Sequence, residues 1–207
     1  METKAFICQF GDICVLHIGN DYTFICHREL LRNHVAGLKE MANPAPYYVC
    51  IDEALQSPTM QDSCAPLDAF IRDQLRPFVA SKDGVLRFEN IPACMISLAG
   101  WLLEYPVIYV QSGEGFLPEW KSPAGNSLSG ISLIVCEVGI RFDQERMMSF
   151  SYPACLFDEQ QQHLIDSHLR RCINSRCEMA KWKYASLASN IYCDITVKQE
   201  TFDRVAM

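Results

Sequence analysis

No uninterrupted apolar run in this 207-residue chain approaches the roughly 20 residues a membrane-spanning helix needs. No Gly-x-Gly-x-x-Gly or Walker-type loop follows a strand pattern; Gly113-Glu114-Gly115 is short, and acidic where a phosphate needs donors. Gly-x-Ser-x-Gly and Cys-Gly-x-Cys-Trp are missing too, so the familiar surroundings of a serine or cysteine nucleophile are not there. Without an Asn-x-Ser/Thr acceptor, nothing marks a secreted glycoprotein. There is no basic surplus: the formal net charge is -7 and the pI about 5.2. Neutralising phosphates takes a basic surface, so no nucleic acid is expected as partner. Repeats, low-complexity tracts and linkers are absent as well, which leaves one core as the default.

What is present is the composition of a packed domain, 49 % hydrophobic and 21 % charged residues with a mean hydropathy of +0.00. That excludes a largely disordered chain and falls short of a membrane protein's composition. The start, METKAFICQF, has an early acid and an apolar run broken by Gln9, a poor secretory signal and a better strand. Eleven cysteines lie in apolar segments without framework spacing and are odd in number. They read as reduced core residues, pointing to a cytoplasmic location with the nucleus as the alternative.

The helical period of Ile91, Met95, Leu98, Ala99, Leu102 and Leu103 predicts a helix capped by Asn90 and stopped by Pro106. Val107–Val110, β-branched and aromatic, then reads as a central strand. Upstream, Ala5–Phe10, Ile13–Ile18 and Tyr22–Cys26 form a meander about Gly11-Asp12 and Gly19-Asn20-Asp21. A helix from His27 to Met41 has Leu30, Leu31, His34, Val35, Leu38 and Met41 on one face, and Asn43-Pro44 ends it before a strand, Tyr47–Ile51. Leu55–Cys64 reads as loop and Pro66–Ala80 as a helix with its last turn distorted by Pro77; Val85–Phe88 has strand composition. Residues 111–130, with four glycines and two prolines, form a long loop. A hairpin follows, Ile131–Phe142 and Met147–Tyr152 about Asp143-Gln144-Glu145. Then come a long helix or two helices from Asp158 to about Ala188, striped by Leu164, Ile165, Leu169, Cys172, Ile173 and Met179, and a last strand, Ile191–Val197. The fold class expected is α/β or α+β: one domain over 1–200, a mixed sheet with covering helices, an N-terminal meander and a loose tail at 201–207.

Three chemistries are candidates. His163, His168, Cys172 and Cys177 have ligand-type side chains, but on one helix only His168 and Cys172 share a face, so no metal site and no cofactor are expected. Cys155, just past a strand ending at Pro153, is a weak nucleophile candidate with His163 or His168 as base, in an apolar setting that favours a packed thiol. Asp52 and Glu53 stand at the carboxyl end of a strand, where open α/β sheets place ligands, while Glu137 and Asp194 in strands need solvent or a partner. The basic residues Arg170, Arg171, Arg176, Lys181 and Lys183 are scattered around one helix and read as a solvated face.

The phrases Gly100-Trp101-Leu102-Leu103-Glu104-Tyr105-Pro106-Val107-Ile108-Tyr109, Asn126-Ser127-Leu128-Ser129 and Ser149-Phe150-Ser151-Tyr152-Pro153 together resemble an uncharacterised eukaryotic family, a conserved domain of unknown function. The resemblance covers Ala93 to Phe157. It implies an intracellular single-domain protein without an assigned activity, so no catalytic residues carry over. The reading favoured on the residues is a non-enzymatic intracellular interaction protein with a protein partner held by Phe116 and Trp120 of the 111–130 loop. The alternative is a small hydrolase-like enzyme using Cys155 or the Asp52 and Glu53 carboxylates.

Overall fold

The computed structural model describes residues 12–37, 45–52, 55–111, 127–140, 145–183 and 193–203. Three small sheets carry the architecture. In the first, β1 (Ile13–Ile18) lies between β2 (Tyr22–His27), antiparallel to it, and β5 (Val85–Phe88), parallel to it. In the second, β3 (Tyr47–Cys50) lies between antiparallel β4 (Thr59–Gln61) and parallel β6 (Val107–Val110). The third, antiparallel throughout, has β7 (Ser132–Ile140) between β8 (Glu145–Pro153) and β9 (Cys193–Thr201). The mixed α/β class expected from the sequence is what the chain adopts, and two of its sheets are mixed.

The helices are α1 (Arg28–Gly37), α2 (Ala65–Phe70), α3 (Arg76–Ala80), α4 (Met95–Leu102) and α5 (Glu159–Lys183). A π-helical turn, Ile71–Leu75, joins α2 to α3, with the Arg76 amide bonded to the Ile71 carbonyl. Pro77 is its physical reason. Proline has no N–H to give and its ring meets the carbonyl four residues back, here Asp73, so the chain takes an extra residue in the turn before it. The distortion expected near Pro77 is therefore real, and it precedes the proline. α5 opens with a capping box: the Gln161 amide donates to Asp158 Oδ1 at 2.7 Å, and the Asp158 amide to Gln161 Oε1 at 3.0 Å.

Several boundaries correct the sequence reading. Thr59–Gln61 is a strand within the expected loop Leu55–Cys64. It was invisible because three residues are too few to show a period. α4 starts at Met95 with Cys94 in the capping position, so Asn90 caps nothing there, and Leu103, expected on the buried face, is 47 % exposed. Trp101 is buried instead. On α5, Ile165 and Leu169 are buried, whereas Leu164 and Met179 are more than half exposed. β9 runs on to Thr201, and the Phe202 carbonyl accepts from the Gly130 amide at 2.8 Å. The expected strand Ala5–Phe10 lies outside the described residues; both edges of β1 are filled by β2 and β5. Gly19 turns the β1–β2 hairpin at φ +58°, with Ile91 3.0 Å from where a Cβ would stand, so a side chain here meets both strain and a clash.

Two cores share the middle sheet. Tyr48 of β3 and Ile108 and Val110 of β6 face a first core with Cys14, Leu16, Ile18, Leu67, Leu75, Leu98 and Trp101. The alternate residues, Val49 and Val107, join Ile51 in a second core with Leu133, Val138, Phe150, Ile165 and Leu169. Period-2 alternation thus sends successive residues of β6 into different cores. Across the second core the Tyr105 and Tyr109 hydroxyls donate to the Ser149 and Ser151 carbonyls of β8, at 3.1 and 2.8 Å. These bonds occupy acceptors on the strand at that sheet's edge.

Candidate functional site

A grouping of titratable side chains forms where α4 ends. The Tyr105 amide bonds to the Gly100 carbonyl and the Glu104 amide to the Trp101 carbonyl, the pairing of a Schellman motif. The residue such a motif holds in the left-handed region is normally glycine, yet here it is Glu104, at φ 57°. Its carboxylate forms an ion pair with Arg176 of α5. On the other side, His34 of α1 stacks on Trp101, ring centroids 3.9 Å apart at 30°. His34 Nε2 lies 2.9 Å from the Trp101 carbonyl. A carbonyl only accepts, so Nε2 carries the proton.

Next to this lies a second contact. Arg171 donates to His168 Nδ1 at 3.2 Å, and His168 Nε2 is 3.5 Å from the Cys172 sulfur. A guanidinium has no acceptor, so Nδ1 is the bare nitrogen and the Nε2–H points at sulfur. Burial lowers the pKa of His34, helped by Arg176 and opposed by Glu104 and the bond to the Trp101 carbonyl. Burial and Arg171 lower that of His168 against Glu104. The Cys172 thiol is pushed up, by burial first and by Glu104 next, although Arg176 and Arg171 pull the other way. A nucleophilic thiol needs the opposite shift. The arrangement therefore joins α1, α4 and α5 through neutral imidazoles about one ion pair, and it makes no thiolate.

Of the sequence candidates, His168 and Cys172 are brought together as the helical spacing implied, and no hydrogen bond joins His163 or Cys177 to them. Cys155 sits exposed on the turn Ala154–Leu156, and no hydrogen bond or ion pair links it to a described histidine or carboxylate. Asp52 accepts from the Cys50 thiol at 3.3 Å, and its carbonyl accepts the Leu55 amide. Glu53, Phe116 and Trp120 lie outside the described residues. Glu137 of β7 has Lys198 of β9 3.6 Å away, and Asp194 stands opposite Gly139. Among the described residues no group of three or more His, Cys, Asp or Glu side chains could hold a metal ion.

A second feature concerns the outward face of the first sheet. Cys14, Leu16 and Ile18 point inward, so Ile13, Val15 and His17 point out. By register, Val15 lies between Ile25 and Val85, Ile13 faces His27, and His17 lies between Thr23 and Arg87. An apolar row thus crosses three strands, with Ile25 73 % and Val85 44 % exposed. None of these eight outward residues is acidic, on a chain of net charge -7. Sequence reasoning passed over this face because β1 and β2 are apolar almost throughout, and such a run does not say which side is covered. The Glu104 grouping had one signal: a helix ending between Leu102 and Pro106 with no Gly or Asn to take its left-handed residue. Arg176 is too distant in sequence to give any.

The family model described as Domain of unknown function (DUF4504) matches residues 3–207. The chain belongs to this family. Neither the search of curated proteins nor that of solved structures finds a match. Membership in DUF4504 agrees with the resemblance seen in the sequence, and it brings no assigned residues. Among the described residues, no helix of this DUF4504 chain is long and apolar enough to cross a membrane.

Proposed function

We propose that the protein is a non-enzymatic interaction protein of the cell interior, cytoplasmic, whose contact surface is the outward face of β2, β1 and β5. The observation that carries this reading is the apolar row Ile25, Val15 and Val85, beside His17 and Arg87, on a face with no acid. Its complement is a protein segment with an apolar centre and acidic flanks, because charge of opposite sign at a rim aligns and speeds association. The net charge of -7 favours a protein over a nucleic acid. Phe116 and Trp120 are a second pair of anchors proposed from the sequence alone.

The test uses the full chain as bait in wild-type, Ile25→Glu and Phe116→Ala/Trp120→Ala forms. Wild type is expected to capture a partner that Ile25→Glu loses, and the purified partner should bind more weakly as salt rises. Equal recovery by wild type and Ile25→Glu overturns the sheet face as the surface. Loss only with the double variant moves the surface to the 111–130 segment. The hydrolase-like alternative in its thiol form needs a base within reach of Cys155, and among the described residues no hydrogen bond or ion pair supplies one.

A further inference from the structure

The inner side of the same hairpin carries a pair of thiols, and it does not depend on the interaction reading. Cys14 of β1 stands directly opposite Cys26 of β2. The Val15 and Gly19 amides go to β5, to the Gly84 and Phe88 carbonyls, each at 2.9 Å. The amides one residue off this alternation, that of Cys14 included, therefore point toward β2, and the Arg28 amide bonding the Asp12 carbonyl two residues away sets the same phase. Cys14 and Cys26 are thus a hydrogen-bonded antiparallel pair, whose Cα atoms stand about 5.5 Å apart. That spacing falls in the middle of the range a disulfide spans. Both side chains point to the same face, Cys14 fully buried and Cys26 partly open to solvent. Each is free.

We propose that Cys14 and Cys26 are a dithiol site that closes reversibly to a cross-strand disulfide by exchange with a low-molecular-weight disulfide. Cys26, the more accessible, loses its proton and attacks one sulfur of the reagent R–S–S–R. A Cys26–S–S–R bond forms, the reagent's own S–S bond breaks, and one RS⁻ leaves and is protonated. Cys14 then loses its proton and attacks Cys26 Sγ, displacing the second RS⁻. Two protein thiols are oxidised and one small disulfide is reduced to two thiols. The bond would pin Val15 and Ile25, each the next residue along, in their present register, so the outward face stiffens without being touched. The exchange is slow near neutrality, because burial, and next the neighbouring Cys14, push the Cys26 thiol up to about 11. Its rate rises about tenfold per pH unit below that value.

The experiment incubates the folded full chain with oxidised glutathione from pH 7 to pH 9, blocks remaining thiols with iodoacetamide, and digests without reductant. No Lys or Arg separates the two cysteines, so cleavage before Asp12 and Asp21 together with trypsin is needed to place Cys14 in residues 12–20 and Cys26 in 21–28. The expected product is those two peptides joined, lighter by two hydrogen atoms, formed faster at higher pH and reopened by dithiothreitol. Cys14→Ser should instead accumulate Cys26 bearing glutathione. Since a serine at buried position 14 can cost the fold, wild type decides alone. A lasting Cys26–glutathione adduct in wild type overturns the proposal. So does alkylation of both Cys14 and Cys26 after denaturation while Cys64 and Cys94, a nearby buried pair, become linked.

Discussion

Glu104 carries a cost that glycine in its place would not. A non-glycine residue in the left-handed region is strained by about 1 kcal/mol or more. Its ion pair with Arg176, with side chains 27 % and 45 % exposed, returns little of that, since partly exposed pairs contribute about 0–1 kcal/mol. Removing the side chain in two ways separates the terms: Glu104→Ala loses the pair and keeps the strain, and Glu104→Gly loses both. Urea denaturation should find Glu104→Gly more stable than Glu104→Ala by about 1 kcal/mol. Equal midpoints would mean that the turn is not held at positive φ in solution. The expectation also locates what the residues could and could not say. That the helix must stop before Pro106 was readable from the proline. That Glu104 would be paired to a helix 72 positions on, and flanked by His34, was not, because no periodicity couples segments so far apart.

The same division holds for whole elements. The apolar period Leu67, Phe70, Ile71, Leu75, Phe78 and Val79 told of a buried helix face; five of the six are buried and Phe70 is half-buried against the same core. Ile13–Ile18 and Tyr22–His27 pair as the turn residues between them said. β5 joining β1 in parallel was out of reach, since its four residues lie far along the chain and parallel pairing has no local turn to announce it. The docking of α1 on α4 belongs to this scale and gives a pH dependence. In the folded chain His34 stays neutral below the roughly 6.5 of a free imidazole, and His168 is lowered as well. The unfolded chain therefore takes up protons first as the solution is acidified. The stability these histidines contribute is present in full above about pH 6.5 and is lost as pH falls through their folded values. Between about pH 6.5 and 5 few carboxylates titrate, so the urea midpoint should drop in that window. His34→Gln, which can still donate to the Trp101 carbonyl, should flatten the drop. An unchanged slope would put its source elsewhere.

At the scale of the molecule, the middle sheet decides whether the chain behaves as one unit. Its strands are only four residues long in β3 and β6, yet each sends alternate side chains into different cores. Loosening either core removes packing from one side of a sheet whose other side is the wall of the second core. Leu98→Ala opens the first core and Val138→Ala the second, both at positions with no exposed surface. A buried leucine truncated to alanine costs about 2–5 kcal/mol, and the smaller valine somewhat less. If the sheet couples the cores, each substitution lowers the opening free energy of amides in both. Protection from hydrogen exchange at Leu16, in the first core, and at Cys136, in the second, should therefore fall together in each variant as global unfolding takes over. Protection lost at Leu16 but kept at Cys136 in Leu98→Ala would make them two independently stable units.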